Sequence, residues 1–329
     1  MAFRKRTNAY WEKRAQEQLT LVELQALSHI KEIDALYRLA LNANLDSVKS
    51  LYVNYYKSQG FDTSKLAEIA PNGDIRRFQE AVRAAGLADR LPDGYGFRLT
   101  RLTLLEAQMW LEVHKVAARQ QAIQTLAHRE TIETAYHYSL YNLSKGTGVA
   151  PVFSKLDKRT IDRILATNFK GKNYSGRIWR NTGKLAAELK IILGSSVATG
   201  QSQTKTAKLI REKYGVKRFE AARLVRTETN HFNTLSTMES YTNIGIGEWV
   251  YVATLDSRTD DECASHDGKR FQINEGPLPP LHPSCRCTQR AYLGKEYEPN
   301  ERIMRDPETG KNKFIGNISF EQWQQLYNA

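Results

Sequence analysis

All three cysteines of the chain fall within the 25 positions from Cys263 to Cys287, together with His266 and His282, two of only seven histidines. A soft divalent ion needs thiolates and imidazoles gathered close together in space, and random scatter rarely supplies such a set in one short segment. Cys285 and Cys287 are two apart, so an extended segment turns both side chains to one face. His282 stands three residues earlier, across Pro283, and a turn brings it to the same point. Cys263 lies 19 residues before His282, a gap that the Asp267-Gly268 turn and the Pro277–Pro283 stretch can close. The spacing predicts a Cys3His sphere of Cys263, His282, Cys285 and Cys287, with His266 as an alternative ligand. Four protein ligands leave no place for water, so the expected cofactor is structural zinc, tying together a module too small to have much core. The competing reading makes the cysteines small buried residues and His282 a hydrogen-bonded loop histidine.

An odd number of cysteines in one segment argues against a disulfide framework and for folding in a reducing cytoplasm. No run of about 18 apolar residues is present, and Met1-Ala-Phe-Arg-Lys-Arg6 leads into polar sequence, so neither a membrane span nor a secretory signal is expected.

From Asn8 to about Lys57 apolar residues recur at threes and fours, which is helical periodicity. The breakers Pro71-Asn-Gly and Pro92-Asp-Gly-Tyr-Gly96 separate this run from a second one, Leu102 to about Leu143. Ser144–Pro151 concentrates breakers and is the best candidate boundary. Helices are predicted over Lys158–Thr167, Ser175–Leu193, Thr204–Tyr214 and Phe219–Tyr241, with Ser202 or Thr204 as a cap. Gly245-Ile-Gly247 ends that pattern, and Glu248–Thr254 reads as a strand. The fold class is therefore mainly α: an elongated helical body, a small zinc-stabilised α+β module, and a partly flexible C-terminal tail with a short anchoring helix. The corresponding regions are 1–150 (long helices), 151–245 (basic helices), 246–293 (zinc module) and 294–329 (tail).

The formal charge is +12, and it is concentrated. Between Lys155 and Arg226 there are 18 Lys or Arg against 5 Asp or Glu, which attracts polyanions such as nucleic acid or an acidic protein surface. Lys158, Arg159, Lys170, Lys172, Arg177, Arg180, Lys205 and Lys208 are the candidate nucleic-acid contacts. Solvated faces of basic helices are the alternative.

The stretch Glu248-Trp-Val-Tyr-Val252, Leu255-Asp-Ser-Arg-Thr259, Cys263, Asp267-Gly-Lys269, Phe271 and Pro280-Leu-His-Pro-Ser-Cys-Arg-Cys287 resembles the signature of the phage head-morphogenesis family, the minor head proteins related to the F protein of phage Mu. Upstream, Ala222–Asn230 is similar to that family's helix with an Arg-Thr-Glu core, and Thr199-Gly-Gln-Ser202 fits its Gly-containing turn. The likeness covers about residues 175–292. Some members carry Cys-x-x-Cys before the Asp-Gly-Lys turn, where this chain has Asp260; others have His where Cys263 stands. The resemblance implies a low-copy virion component in the capsid interior near the portal, made in the host bacterial cytoplasm. It further implies a role in head assembly and in DNA packaging or genome ejection. The implied partners are the portal protein, scaffold or major capsid protein, and packaged double-stranded DNA, which the basic region would meet without regard to sequence.

Other polar groups have plainer readings. Glu228 reads as an internal brace paired with Arg223 or Arg226 more readily than as a catalytic acid. Asp256 reads as a turn cap, with Arg258 on a neighbouring carboxylate. Trp11, Tyr55 and Tyr56 read as core before stacking platforms. No nucleophile is assigned and no enzymatic activity is expected. The alternative is a zinc-dependent nuclease in which His266, His282 and an aspartate hold an ion that keeps a water; three thiolates weigh against it.

Overall fold

The computed structural model describes residues 8–58, 60–147, 155–294, 301–306, 309, 311–316 and 318–327. Residues 148–151 of the candidate boundary, Met1–Arg6, Pro299, Pro307 and Gly310 lie outside them. The chain is mainly helical, as the periodicity predicts. In order it forms α1 (Asn8–Tyr55), β1 (Tyr56–Lys57), β2 (Gly60–Phe61), α2 (Thr63–Ala67), α3 (Asn72–Ala84), α4 (Arg101–Thr147), α5 (Lys158–Leu165), α6 (Tyr174–Thr199) and α7 (Gln203–Asn243). There follow β3 (Glu248–Val252), α8 (Asp261–Ser265), β4 (Arg270–Gln272), β5 (Thr288–Ala291), β6 (Glu301–Arg305), β7 (Asn312–Gly316) and α9 (Phe320–Tyr327).

Short polar residues start these helices by taking an otherwise unpaired amide of the first turn. Asp157 accepts from Thr160 at α5, Asn173 from Gly176 at α6, and Asp260 from Glu262 at α8. Ser202 accepts from Lys205 at α7, 3.4 Å away, which makes it the cap and Thr204 an ordinary first-turn residue. Gly200 ends α6 at φ 63°, the left-handed conformation that glycine enters without steric penalty.

Two expectations are corrected. The interval 71–97 is more than a joint, since it contains α3, opened at Pro71. The predicted helices Thr204–Tyr214 and Phe219–Tyr241 are one helix, α7. A helical glycine costs roughly 1 kcal/mol relative to alanine, and Gly215 is outweighed by packing. Ile210, Tyr214, Lys217 and Ala221 stay buried across it at spacings of four, three and four. The Tyr214 hydroxyl also accepts from Asn44 at 2.6 Å.

Contacts divide the chain into two interleaved units. One comprises 30–124 and 172–222. Its core gathers Phe78, Val82, Leu87, Leu99, Trp110 and Leu111, and Tyr37 donates to Gln120 within it.

The other unit comprises 1–29, 125–171 and 223–329 and holds all three cysteines. Its three-stranded antiparallel sheet has the order β4-β3-β5, with Trp249 opposite Phe271 and Ala291, and Val252 opposite Thr288. Strand alternation turns Trp249 and Tyr251 to one face, where they pack with Trp11, Met238, Tyr241, Leu281 and the three cysteines.

The C-terminal stretch contains, beside the expected helix α9, a hairpin, β6–β7. Arg302 of β6 is buried; it makes a two-pronged pair with Asp267, reaches Glu12 at 3.3 Å, and donates to the carbonyls of Ala253 and Ile318. Phe320 and Trp323 of α9 pack with Leu255 and Met304. Burial drives the Glu12 carboxyl upward, against the pull of Arg302 and Arg290.

The exposed Gly215 has open space where a methyl group would go. Gly215→Ala is expected to stabilise the protein by about 0.5–1 kcal/mol, read as an upward shift of the urea midpoint with unchanged slope.

Candidate metal centre

Two stretches carry the thiols. Cys263 sits in α8, while Cys285 and Cys287 occupy the extended segment that enters β5. All three are buried and free of disulfides. Their sulfur atoms lie within 4.8 Å of one another, with Cys263 Sγ and Cys285 Sγ 3.6 Å apart. A tetrahedral zinc ion with bonds of about 2.3 Å sets its sulfur ligands roughly 3.8 Å apart, whereas a disulfide needs about 2.05 Å. The donor set and its spacing therefore fit a soft metal ion held by three thiolates.

The backbone of the Cys-x-Cys segment is held from two sides. In an extended chain carbonyls i and i+2 point the same way and i+1 points oppositely. The Asn230 side chain of α7 donates to the carbonyls of Cys285 and Cys287, at 3.0 and 3.2 Å. Thr254 donates to the intervening Arg286 carbonyl at 2.7 Å. One turn earlier on α7, Thr227 accepts from Ser284 N at 3.0 Å, and further along Thr234 donates to the Gln289 side chain. Thr227, Asn230 and Thr234 share a helix face because their spacings are three and four.

Before Cys285 the chain makes a tight turn in which Cys285 N donates to the His282 carbonyl at 3.2 Å. Pro283 is at its second position and Ser284, at φ 61°, at its third. Proline presets the second residue of such a turn, while a positive φ at the third is a place usually left to glycine. The hydrogen bond from Ser284 N to Thr227 holds the strained residue in place. Asp256 acts as expected. It caps its turn by accepting from Arg258 N at 2.9 Å and pairs with Arg258 at 3.5 Å and with Arg286.

The electrostatics follow from crowding. Cys285 ionises first, held well below an ordinary thiol by hydrogen bonds from Cys263 and then Cys287. The bond to Cys285 pushes Cys263 up, and bonds to Cys263 and Cys285 do the same to Cys287. Tyr251 donates to Cys263 Sγ at 3.2 Å, and burial, followed by the charges of Cys287 and Cys285, keeps it a neutral phenol. Three thiolates this close repel one another, and a divalent ion among them would make them compatible.

Neither histidine belongs to the 4.8 Å set. His282 Nδ1 lies 3.1 Å from the Pro283 carbonyl. His266, just beyond α8, has its ring centre 5.7 Å from that of Tyr251, and its buried Nδ1 has no hydrogen-bond partner among the described residues. Glu228 is completely buried on α7. Trp11 belongs to the core, while Tyr56 is exposed. The eight basic candidates are surface residues apart from the half-buried Arg177. Lys158, Arg159 and Lys170 fall in the cysteine-bearing unit and the other five in the second unit.

Sequence reasoning overlooked Thr227, Asn230 and Thr254. The first two lie in the Arg226-Thr-Glu-Thr-Asn230 run, and their signal is polar residues at a spacing of three on a helix with no solvent to face. Asn230→Ala leaves two buried carbonyls without their donor and is expected to cost about 1–3 kcal/mol, measured by urea unfolding of the unit that contains them.

No curated protein and no solved structure matches the chain. The family model described as Phage Mu protein F like protein matches residues 188–290, from within α6 to β5. That stretch contains Asn230 and all three cysteines, and its match supports a phage head-morphogenesis family for this part of the chain.

Proposed function

We propose that the chain is a minor head protein of a tailed phage. In this reading it joins the portal inside the capsid, acts in head morphogenesis and in DNA packaging or ejection, and carries a structural zinc ion in its cysteine-bearing unit. The observation that carries the reading is the family match coinciding with three convergent buried thiols. Zinc would be held by Cys263, Cys285 and Cys287, with an imidazole as fourth donor. His282 suits that place because Nδ1 faces a backbone carbonyl, which is how metal-bound histidines are commonly oriented, leaving Nε2 for the ion. His266 is the alternative. The bound ion would supply cross-linking and no reaction step; the chain's own Asn230, Thr254 and Thr227 hold the ligand backbone in register. Sulfur donors favour this structural role over phosphoryl-transfer chemistry, for which oxygen and imidazole donors are the usual choice. The basic side chains would meet packaged DNA through phosphate contacts that weaken steeply with salt.

Protein purified without chelator is expected to carry about one equivalent of zinc, falling below half in Cys287→Ser, by elemental analysis. The cobalt(II) form should show thiolate-to-metal absorption whose ligand-field bands move in His282→Ala and stay put in His266→Ala; the reverse pattern makes His266 the ligand. A zinc-free protein that is equally stable would overturn the metal reading.

Mass spectrometry of procapsids and mature virions tests the role separately. A few copies per portal are expected in both, and absence from both would remove the minor head protein assignment.

A further inference from the structure

A cavity of about 450 Å³ opens in the cysteine-bearing unit. Residues 20–27 of α1 contribute Glu23, Leu24 and Leu27 to its lining, while Arg226 of α7, Arg258 and Arg286 supply the cations. Leu24 and Leu27, one helical turn apart, are 60% and 41% exposed. Unlike scattered surface leucines, they line a concavity together with charged groups.

The arginines are not equivalent. Asp256 holds both Arg258 and Arg286, so these two are oriented and share one carboxylate, which leaves the trio with one net positive charge. The Arg226 side chain is exposed and makes no ion pair or hydrogen bond among the described residues. The wall therefore offers one uncommitted guanidinium, a planar fork that matches a carboxylate in two-point contact, beside an apolar pair that water covers poorly.

That combination selects an occupant. Glu23 on the same wall disfavours phosphate and carboxylate alike, so the leucines decide: a nucleic-acid backbone would leave them uncovered. Its bases would find no aromatic ring to stack on, because none lines the cavity. A peptide answers both halves of the wall: an acidic side chain for Arg226 and an apolar one for Leu24 and Leu27. We propose that this cavity is a docking site for an acidic peptide segment of a partner protein, anchored by one apolar side chain. The proposal does not rest on the head-protein role; its wall shares Cys285 with the thiol cluster, which is why thiol content is followed in every variant.

The test uses the full chain as bait in selection from a library of displayed random peptides, followed by fluorescence anisotropy with a labelled synthetic peptide of the enriched sequence. Enriched sequences should pair Asp or Glu with a nearby Leu, Ile or Phe. Arg226→Ala and Leu24→Ser should each weaken binding about tenfold while melting temperature and thiol content stay at wild-type values, and Arg226→Lys should recover only part of the affinity. Lack of enrichment, enrichment without acidic residues, or equal binding to both variants would overturn the proposal. So would a labelled oligothymidine that binds more tightly than the peptide and is lost in Arg226→Ala, which would make the cavity a nucleic-acid site.

Discussion

The organisation of the cysteine-bearing unit depends on how the backbone around Cys285 and Cys287 is satisfied. Successive carbonyls of an extended chain point in opposite directions, and a buried one without a donor costs as much as a lost hydrogen bond. Asn230 takes two carbonyls on one side and Thr254 takes the third on the other. With the backbone held this way, the two cysteine side chains turn to the face where Cys263 waits on α8. The same segment continues as β5, so its register against β3 and the position of the thiols are fixed together. The polar character of the buried face of α7 is thus a consequence of what it packs against, a strand entry full of backbone groups.

A second constraint is electrostatic. Arg302 places a charge in the interior, which is tolerable only when each of its donors is met. Asp267, Glu12 and two carbonyls meet them, drawing on α1, the turn after α8 and the segment before α9. Asp267 is also tied to the sheet, since it accepts from Ala253 N at 3.0 Å. One side chain therefore joins the hairpin β6–β7 to the module that carries the cysteines, and Gly268, at φ 71°, lets the turn beside Asp267 close. A buried arrangement of this kind specifies position more than it adds stability.

These two networks bear on function in different ways. The thiol cluster offers three soft donors at a spacing that suits a metal ion. The eight basic candidates fall in both units, three in the cysteine-bearing one and five in the other. The arginine-lined cavity borders the thiol cluster through Cys285 and differs from it in joining apolar and cationic groups in one concave wall.

By itself the sequence determined the helical character of the chain, most helix starts, the central strand, and the convergence of Cys263, Cys285 and Cys287. These depend on short-range rules: periodicity, capping, and the alternation that puts residues two apart on one face. The continuity of α7 through Gly215 was decided by tertiary packing, because a propensity penalty of about 1 kcal/mol is small beside burial of the residues around it. The hairpin β6–β7 was decided the same way, since nothing local announces that Arg302 will find Asp267 and Glu12, one of them 290 positions away in the chain. Thr227, Asn230 and Thr254 read as ordinary polar residues until the fold brings them to the backbone they hold. Where a side chain's partner lies far off in sequence, only the folded chain can show what that side chain is for.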